Sequence, residues 1–245
     1  MKNSAALPYI LLTFCAFFWA GSSVVGRHVA GEVPPLALNF WRWLFAFLVV
    51  LTWTWRELYR QRVLVRQKWK YISFLALSSA IGFGALHYVA LQYTTAINGA
   101  LFQGLMSIGI LISALVILGD RFGGRESVGV VLGFCGVVFI VTRGDIDVLI
   151  VLTFDIGDII LLAATMSYSV YAVFLRRAPK ELSSSALMAG MFGFAALYML
   201  PLMLIELYVF GRTFTINTTA IWSIGFMTFG PSVLAQIFWA YSVSK

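Results

Sequence analysis

The stretch "ALNFWRWLFAFLVVLTWTW", residues 37–55, is apolar over a length that can cross a lipid bilayer, yet it contains Arg42. About 20 mostly apolar residues are enough for a membrane-spanning helix. The whole chain shares this character, since 61% of its 245 residues are hydrophobic and 11% are charged, against about 45–50% and 25% in soluble domains. A soluble fold could not bury so much apolar surface, so the sequence predicts a membrane protein.

Apolar segments of similar length recur along the chain and predict about eight transmembrane helices. Every backbone polar group in lipid must be paired within its own helix or within a closed barrel. The alternating pattern of a barrel strand is not present, so we expect an all-α, polytopic membrane helix bundle. The predicted spans are 7–27, 35–55, 71–93, 97–118, 126–142, 157–175, 185–208 and 219–241.

Lys and Arg are concentrated on one side of these predicted spans. They cluster at both ends of the chain and in the segments 56–70, 119–126 and 176–184. Cytoplasmic loops of membrane proteins carry such an excess, so we predict that the N-terminus and the C-terminus lie in the cytoplasm. This bias also accounts for the net charge of +7, and we therefore expect no nucleic-acid partner.

The two halves of the chain show weak internal similarity. A shift of 149 residues places Trp19 on Tyr168 and Ala37 on Ala186. The first three helices then pair with the last three, and the odd number of helices between the copies gives them opposite orientations in the membrane. We therefore predict an inverted five-helix repeat, with the first repeat over 1–142 and an incomplete second repeat over 157–245.

Glycine and proline interrupt the third and eighth predicted helices at corresponding places. The third helix contains Gly82 and Gly84, and the eighth contains Gly230 and Pro231. Proline removes a backbone donor and kinks or opens a helix, and interrupted helices in both repeats of a transporter flank its substrate site. Because Gly and Pro are common in membrane helices generally, either break alone could also reflect the ordinary composition of such helices. Two breaks in register favour a gating role.

Polar and aromatic side chains at helical spacing surround these two breaks. A primary amide that faces lipid is costly, so we expect the glutamines to point inward, where they either line a hydrated cavity or bond to neighbouring helices. His87 is either a bonded structural residue or a proton carrier. The predicted lining of the substrate cavity is Trp19, Ser22, Ser23, His87, Tyr88, Gln92, Gln103, Ser107, Tyr168, Tyr171, Gln236 and Trp239.

Arg42 lies seven residues after Pro35, which is about 10 Å along a helix from the predicted outer surface. Two interpretations of its charge stay open. In the first, the long side chain snorkels to the outer interface and bonds to Asn39 or Glu32. In the second, the guanidinium points inward and attracts anionic groups at the mouth of the cavity.

Signatures of catalysis are not found in the sequence. It contains no HExxH, GxSxG or phosphate-cradling glycine motif, and Cys15 and Cys135 lie in apolar runs typical of packing residues. No Asp or Glu lies in the middle of a predicted span. We therefore predict that the protein is not an enzyme and has no catalytic residues, no cofactor and no metal site.

Four segments resemble the EamA-type transporters of the drug/metabolite transporter superfamily. They are "FFWAGSSVVGRHVAGEVPPLALNFWRWLFAFLVVL" (17–51), "ALQYTTAINGALFQ" (90–103), "LGDRFGGRESVGVVLGFCGVVFIV" (118–141) and "GDIILLAATMSYSVYAVFLRR" (157–177). The resemblance implies ten helices in two inverted five-helix repeats. It also implies export of small organic solutes or metabolites by alternating access, through a central cavity in the bacterial inner (plasma) membrane.

The sequence departs from this family pattern at its end. The chain stops at Lys245, where the family continues with two more helices. We therefore expect either a fragment of a longer protein or an eight-helix form that works differently. We favour the fragment, with one side of the second repeat unpacked. The alternative function is that of a noncatalytic membrane subunit of a larger permease or membrane complex. The expected partners are the lipid bilayer and a small-molecule substrate, and a homodimer is possible.

Overall fold

The computed structural model describes residues 6–120, 123–142, 155–213 and 215–243. Every regular element within those ranges is helical, which confirms the predicted all-α bundle. The outermost residues of the two predicted repeats, 1–5 and 244–245, lie outside the described residues. The elements are α1 (Ala6–His28), α2 (Pro35–Arg60), α3 (Arg62–Gln67), α4 (Trp69–Ala76), π1 (Leu77–Ala85), α5 (Leu86–Tyr93), α6 (Ala96–Leu118), α7 (Gly124–Thr142), α8 (Ile156–Arg176), α9 (Ser184–Tyr208), α10 (Thr218–Met227), π2 (Thr228–Leu234) and α11 (Ala235–Val243).

Seven helices of the described chain are long and apolar enough to cross a membrane. They correspond to the first four and the last three predicted spans. The third span consists of α4, π1 and α5 in continuous succession, and the eighth consists of α10, π2 and α11. The fifth predicted span, 126–142, corresponds to α7, in which Ser127–Gly136 is apolar. The prediction of a polytopic bundle of membrane helices is confirmed.

The basic segment 56–70 is largely helical, and the expectation that it forms a loop is wrong. Helix α2 continues to Arg60, and the short helix α3 follows directly. Glu57 supports this extension, because it accepts hydrogen bonds from Gln61 Nε2 at 2.6 Å and from Arg60 Nη1 at 3.4 Å. Side-chain pairs three or four residues apart stabilise a helix, so α2 continues beyond its apolar stretch.

A π-helical segment interrupts the third span, and another interrupts the eighth. The wider turn is visible at the ends of both segments, where Leu86 N donates to Ile81 O and Ala235 N donates to Gly230 O. A shift of 149 residues superposes the last residues of π1 and π2. Segments of this kind are rare and occur frequently at functional sites. The four predicted gating residues all lie within them: Gly82 and Gly84 in π1, and Gly230 and Pro231 in π2.

The hydrophobic core lies mainly between α2, α9 and the third span. Trp43 of α2 meets Phe192 of α9 edge to face, with ring centroids 5.0 Å apart. At the N-terminal end of α2, the Glu206 carboxylate of α9 accepts the backbone N–H of Ala37 at 2.8 Å. Around this core, α1 packs against α11, and α6 packs against α8. The two interrupted spans are thereby held inside the bundle, beside α2.

Candidate substrate site

A buried chain of hydrogen bonds joins α6, α1 and α5. Gln103 Nε2 of α6 donates to Ser23 Oγ of α1 at 2.6 Å, and Ser23 Oγ lies 3.1 Å from His87 Nε2 of α5. Ser23 accepts from Gln103, so its own hydroxyl hydrogen is available to His87 Nε2. The direction of the bond between Ser23 and His87 depends on the imidazole tautomer. Gln103 therefore bonds to a neighbouring helix, which was one of the two roles considered for the glutamines.

Arg42 points into the bundle and is only 7% exposed. Its Nε donates to Ser232 Oγ of π2, and its Nη1 donates to Tyr88 Oη of α5, both at 2.5 Å. The guanidinium carbon also lies 5.1 Å from the centroid of the Trp43 ring. The snorkelling interpretation is therefore wrong, because neighbouring helices enclose the side chain and bind it. Asn39, its suggested partner, instead donates to Ala80 O at 2.8 Å.

Both hydrogen-bond partners of Arg42 also contact Met227, the last residue of α10. Ser232 Oγ donates to the backbone carbonyl of Met227 at 2.8 Å, and Tyr88 Oη donates to its sulfur at 3.2 Å. The Ser232 bond reaches back five residues, across the wide turn of π2. Through these contacts one arginine on α2 joins the third span to the interruption in the eighth.

Aromatic rings form a second cluster, next to the polar one. Trp19 of α1 lies 5.5 Å from Trp239 of α11 and 6.3 Å from Tyr168 of α8, between ring centroids. Phe83 of π1 stacks on His87 at 5.2 Å and contacts Tyr168 at 4.9 Å. Phe83 thus connects the aromatic cluster to the hydrogen-bonded chain. The structure brings rings from four of the bundle's helices into one region.

Several of the predicted lining residues have polar atoms without a protein partner. Within the described ranges, neither the hydroxyl of Tyr168 nor that of Tyr171 forms a hydrogen bond, although both residues are buried. The side-chain amides of Gln92 and Gln236 are half-buried and also form none there. Buried polar groups are normally paired with protein or water. These atoms can therefore bond to water or to a solute.

Four predicted lining residues do not join either cluster, namely Gln92 and Gln236, whose amides are described above, and Ser22 and Ser107. Ser22 is buried, but its hydroxyl donates to the backbone carbonyl of Trp19 within the same helix at 2.7 Å. Ser107 lies on an exposed face of α6. Helical spacing placed both residues near the correct face, and the rotation of each helix against its neighbours determines which side chain reaches the centre.

Asn39, Phe83 and Met227 were not among the predicted site residues, although the structure places them in or beside this network. Asn39 comes so close to π1 that a Cβ on Gly84 would lie 2.9 Å from its Oδ1. An asparagine one turn before Arg42 in an otherwise apolar run was a usable signal. Phe83 and Met227 offered no such signal, because Phe and Met are typical core residues.

Comparisons with known proteins agree with this architecture. The model of the EamA-like transporter family matches residues 6–142. The chain is 27% identical over 242 residues to "Uncharacterized transporter YyaM" of Bacillus subtilis (strain 168), a match that covers 97% of this chain and 77% of the relative. An "Uncharacterized transporter" of Archaeoglobus fulgidus is 26% identical over 240 residues, covering 97% of this chain and 80% of the relative.

A solved crystal structure of another protein has the same fold. It superposes with a TM-score of 0.72 over 99% of this chain and 79% of that chain, at 18% sequence identity. This likeness shows the fold alone. The family match, by contrast, covers more than half of the sequence, from α1 through α7. The chain is therefore a membrane protein that belongs to the EamA-like transporter family.

Proposed function

We propose that this protein exports small organic solutes or metabolites from the cytoplasm by alternating access, without converting them chemically. The membrane is the bacterial inner membrane, and the N-terminus faces the cytoplasm. The observation that carries the proposal is the contact of Arg42 with both interrupted spans, through Tyr88 and Ser232. Hydrogen bonds that hold two discontinuous helices together can break and re-form as those helices move during a transport cycle.

The position of the polar network suggests which side is closed in this structure. Ser23, Arg42, His87 and Gln103 each lie five to seven residues from the end of their helix that the predicted orientation places outside. That spacing is about 8–11 Å along a helix. In our proposal the network closes the outer side, and the Trp19 and Tyr168 rings form the solute site beneath it. When the outer side opens, the hydrogen bonds of this network break.

We also propose that the two halves of the chain, 1–142 and 157–245, are inverted repeats that move against each other. The matching positions of π1 and π2 under one shift support this arrangement. Each π-helical segment pairs backbone groups five residues apart, where an α-helix pairs groups four apart. When one half rocks against the other, the third span can then bend at π1 and the eighth span at π2, on either side of the solute site.

Efflux from proteoliposomes tests the proposed function and its site. Vesicles are loaded with a mixture of small metabolites extracted from bacterial cells, and released solutes are identified by mass spectrometry, with and without a proton gradient. Release should exceed that of protein-free vesicles for a subset of solutes. Trp19→Ala, His87→Ala and Gln103→Ala should each slow that release by about tenfold, as expected when a buried contact of about 1.4 kcal/mol is lost.

Each of these variants has a control of the same residue type on the exterior. Trp222 is 69% exposed, and His28 and Gln67 are also exposed. Trp222→Ala, His28→Ala and Gln67→Ala should release solutes at the wild-type rate. Wild-type release from all three site variants would contradict the proposed site. If vesicles with the wild-type protein released no more solute than protein-free vesicles, the proposed function would be contradicted.

A further inference from the structure

Arg42 is a buried cation without a negative partner. Within the described ranges, the two ion pairs join Arg60 to Glu57 and Arg176 to Asp120, and no carboxylate lies within 4.0 Å of the Arg42 guanidinium. The buried carboxylates there are engaged elsewhere: Asp158 accepts from Thr94, and Glu206 accepts from Ala37. The charge of Arg42 is therefore met by neutral groups alone, namely two hydroxyls and two aromatic rings.

A charge kept in this position is energetically costly, and its presence therefore favours a functional role. Desolvation of a guanidinium is compensated well by an anion and only partly by hydroxyl groups or rings. Arginine has five N–H donors in a planar fork suited to the two oxygens of a carboxylate or phosphate. Among the residues that the structure describes, only two of those donors have protein partners. The remaining donors match a bidentate anion.

Further unpaired polar atoms lie on α2 and π2, the two elements that the Arg42–Ser232 hydrogen bond joins. In the described chain, three side-chain polar atoms that are themselves fully enclosed have no hydrogen-bond partner: Asn39 Oδ1, Trp43 Nε1 and Thr228 Oγ1. Asn39 and Trp43 lie within one helical turn of Arg42 on α2, and Thr228 begins π2, the segment that holds Ser232. Buried polar atoms are usually satisfied. Unpaired polar atoms on both of the elements that Arg42 joins, α2 and π2, favour a polar ligand site there.

We infer that Arg42 is the anion-binding residue of the transport site, and that the exported solutes carry a carboxylate or phosphate group. This inference rests on the proposed function. The anion binds the remaining donors and draws the guanidinium away from Tyr88 and Ser232. Because those two bonds tie α2 to both interrupted spans, binding of the anion loosens the outer closure. A ligand shifts a conformational equilibrium only through such a difference in its contacts between the two states.

The charge of the released solutes tests this inference without any substitution. In the vesicle experiment described above, the solutes that wild-type protein releases are sorted into carboxylates, phosphate esters, and compounds with neither group. We expect the released set to consist of acids, and its composition identifies which of the two acidic groups is recognised. Release of neutral or purely cationic solutes at equal rates would overturn the inference but leave the transport function intact. No release at all would overturn both.

Substitutions at Arg42 give a second, independent readout. Arg42→Gln should reduce release of the acidic solutes by at least tenfold, and Arg42→Lys should retain more release because it keeps the charge but not the planar fork. Arg66→Gln, which alters an exposed arginine of α3, is the matched control and should release at the wild-type rate. Size-exclusion profiles show whether each variant is folded. A folded Arg42→Gln variant that exports acids as fast as wild type would also overturn the inference.

Discussion

Replacing Asp158 with Ala is expected to lower the free energy of unfolding by about 1–3 kcal/mol, the usual cost of leaving buried hydrogen-bond donors unpaired. The side chain is 3% exposed. Its Oδ1 accepts from Thr94 Oγ1 at 2.8 Å and from Asn98 Nδ2 at 3.0 Å, while Oδ2 accepts from the backbone N–H of Asp155 at 3.1 Å. Alanine leaves these donors unpaired and separates the start of α8 from the turn between α5 and α6.

An exposed carboxylate provides the control for this prediction. Asp120 accepts from Arg176 Nη1 at 3.1 Å, and both side chains are substantially exposed. Exposed ion pairs contribute about 1 kcal/mol or less, so Asp120→Ala should change stability little. Denaturant unfolding of the purified proteins in detergent, followed by tryptophan fluorescence, measures both variants. If Asp158→Ala lowered the free energy of unfolding no more than Asp120→Ala does, the network around Asp158 would not be stabilising.

Gly82→Ala should destabilise the protein by about 1–3 kcal/mol, the usual cost of overpacking a tight contact. A Cβ at Gly82 would lie 1.9 Å from Ser167 Oγ and 2.9 Å from Ser167 Cβ. Ser167 is also anchored, because its hydroxyl donates to Ser78 O at 3.2 Å. The added methyl group therefore forces π1 and α8 apart at the interruption of the third span. Thermal unfolding in detergent measures the loss.

A double-mutant cycle distinguishes this steric effect from a general cost of altering π1. Ser167→Gly removes the atoms that the new methyl group would strike, so it should recover part of the stability lost in Gly82→Ala. Coupled residues show such non-additive effects, whereas independent ones add. Gly225→Ala is the control, because nothing lies within 4 Å of a Cβ at that position. Additive losses in the cycle would mean that the Gly82–Ser167 contact is not the cause.

The interruptions were predictable from residue types. Gly82 and Gly84 in one span, and Gly230 and Pro231 in the other, marked weak points at matching positions. Their conformation was not predictable, because α-helices accommodate Gly and Pro by kinks, by π-helical turns or by unwinding. Close contacts contribute to that choice here. Ser167 lies over Gly82, and Asn39 lies beside Gly84, and both residues are distant from π1 in the sequence.

The charge of Arg42 was likewise evident, whereas its direction was not. Snorkelling and inward binding start from the same position on α2, seven residues from the helix end. The choice between them depends on Tyr88 and Ser232, which are 46 and 190 residues away along the chain. No local pattern encodes which residue on a distant helix faces a given side chain. The opposite is true of Glu57 and Gln61, whose pairing follows from helical spacing.

The membrane character of the chain, seven of the eight predicted spans and the places where two of them break could be inferred from the amino-acid sequence. Bilayer thickness and the need to pair backbone groups act on each segment separately, so local composition carries that information. Only the folded bundle shows the hydrogen bonds of Arg42 to Tyr88 and Ser232. The same is true of the chain that runs from Gln103 through Ser23 to His87. Those contacts depend on how each helix is rotated about its own axis, which is set by packing against all of its neighbours at once.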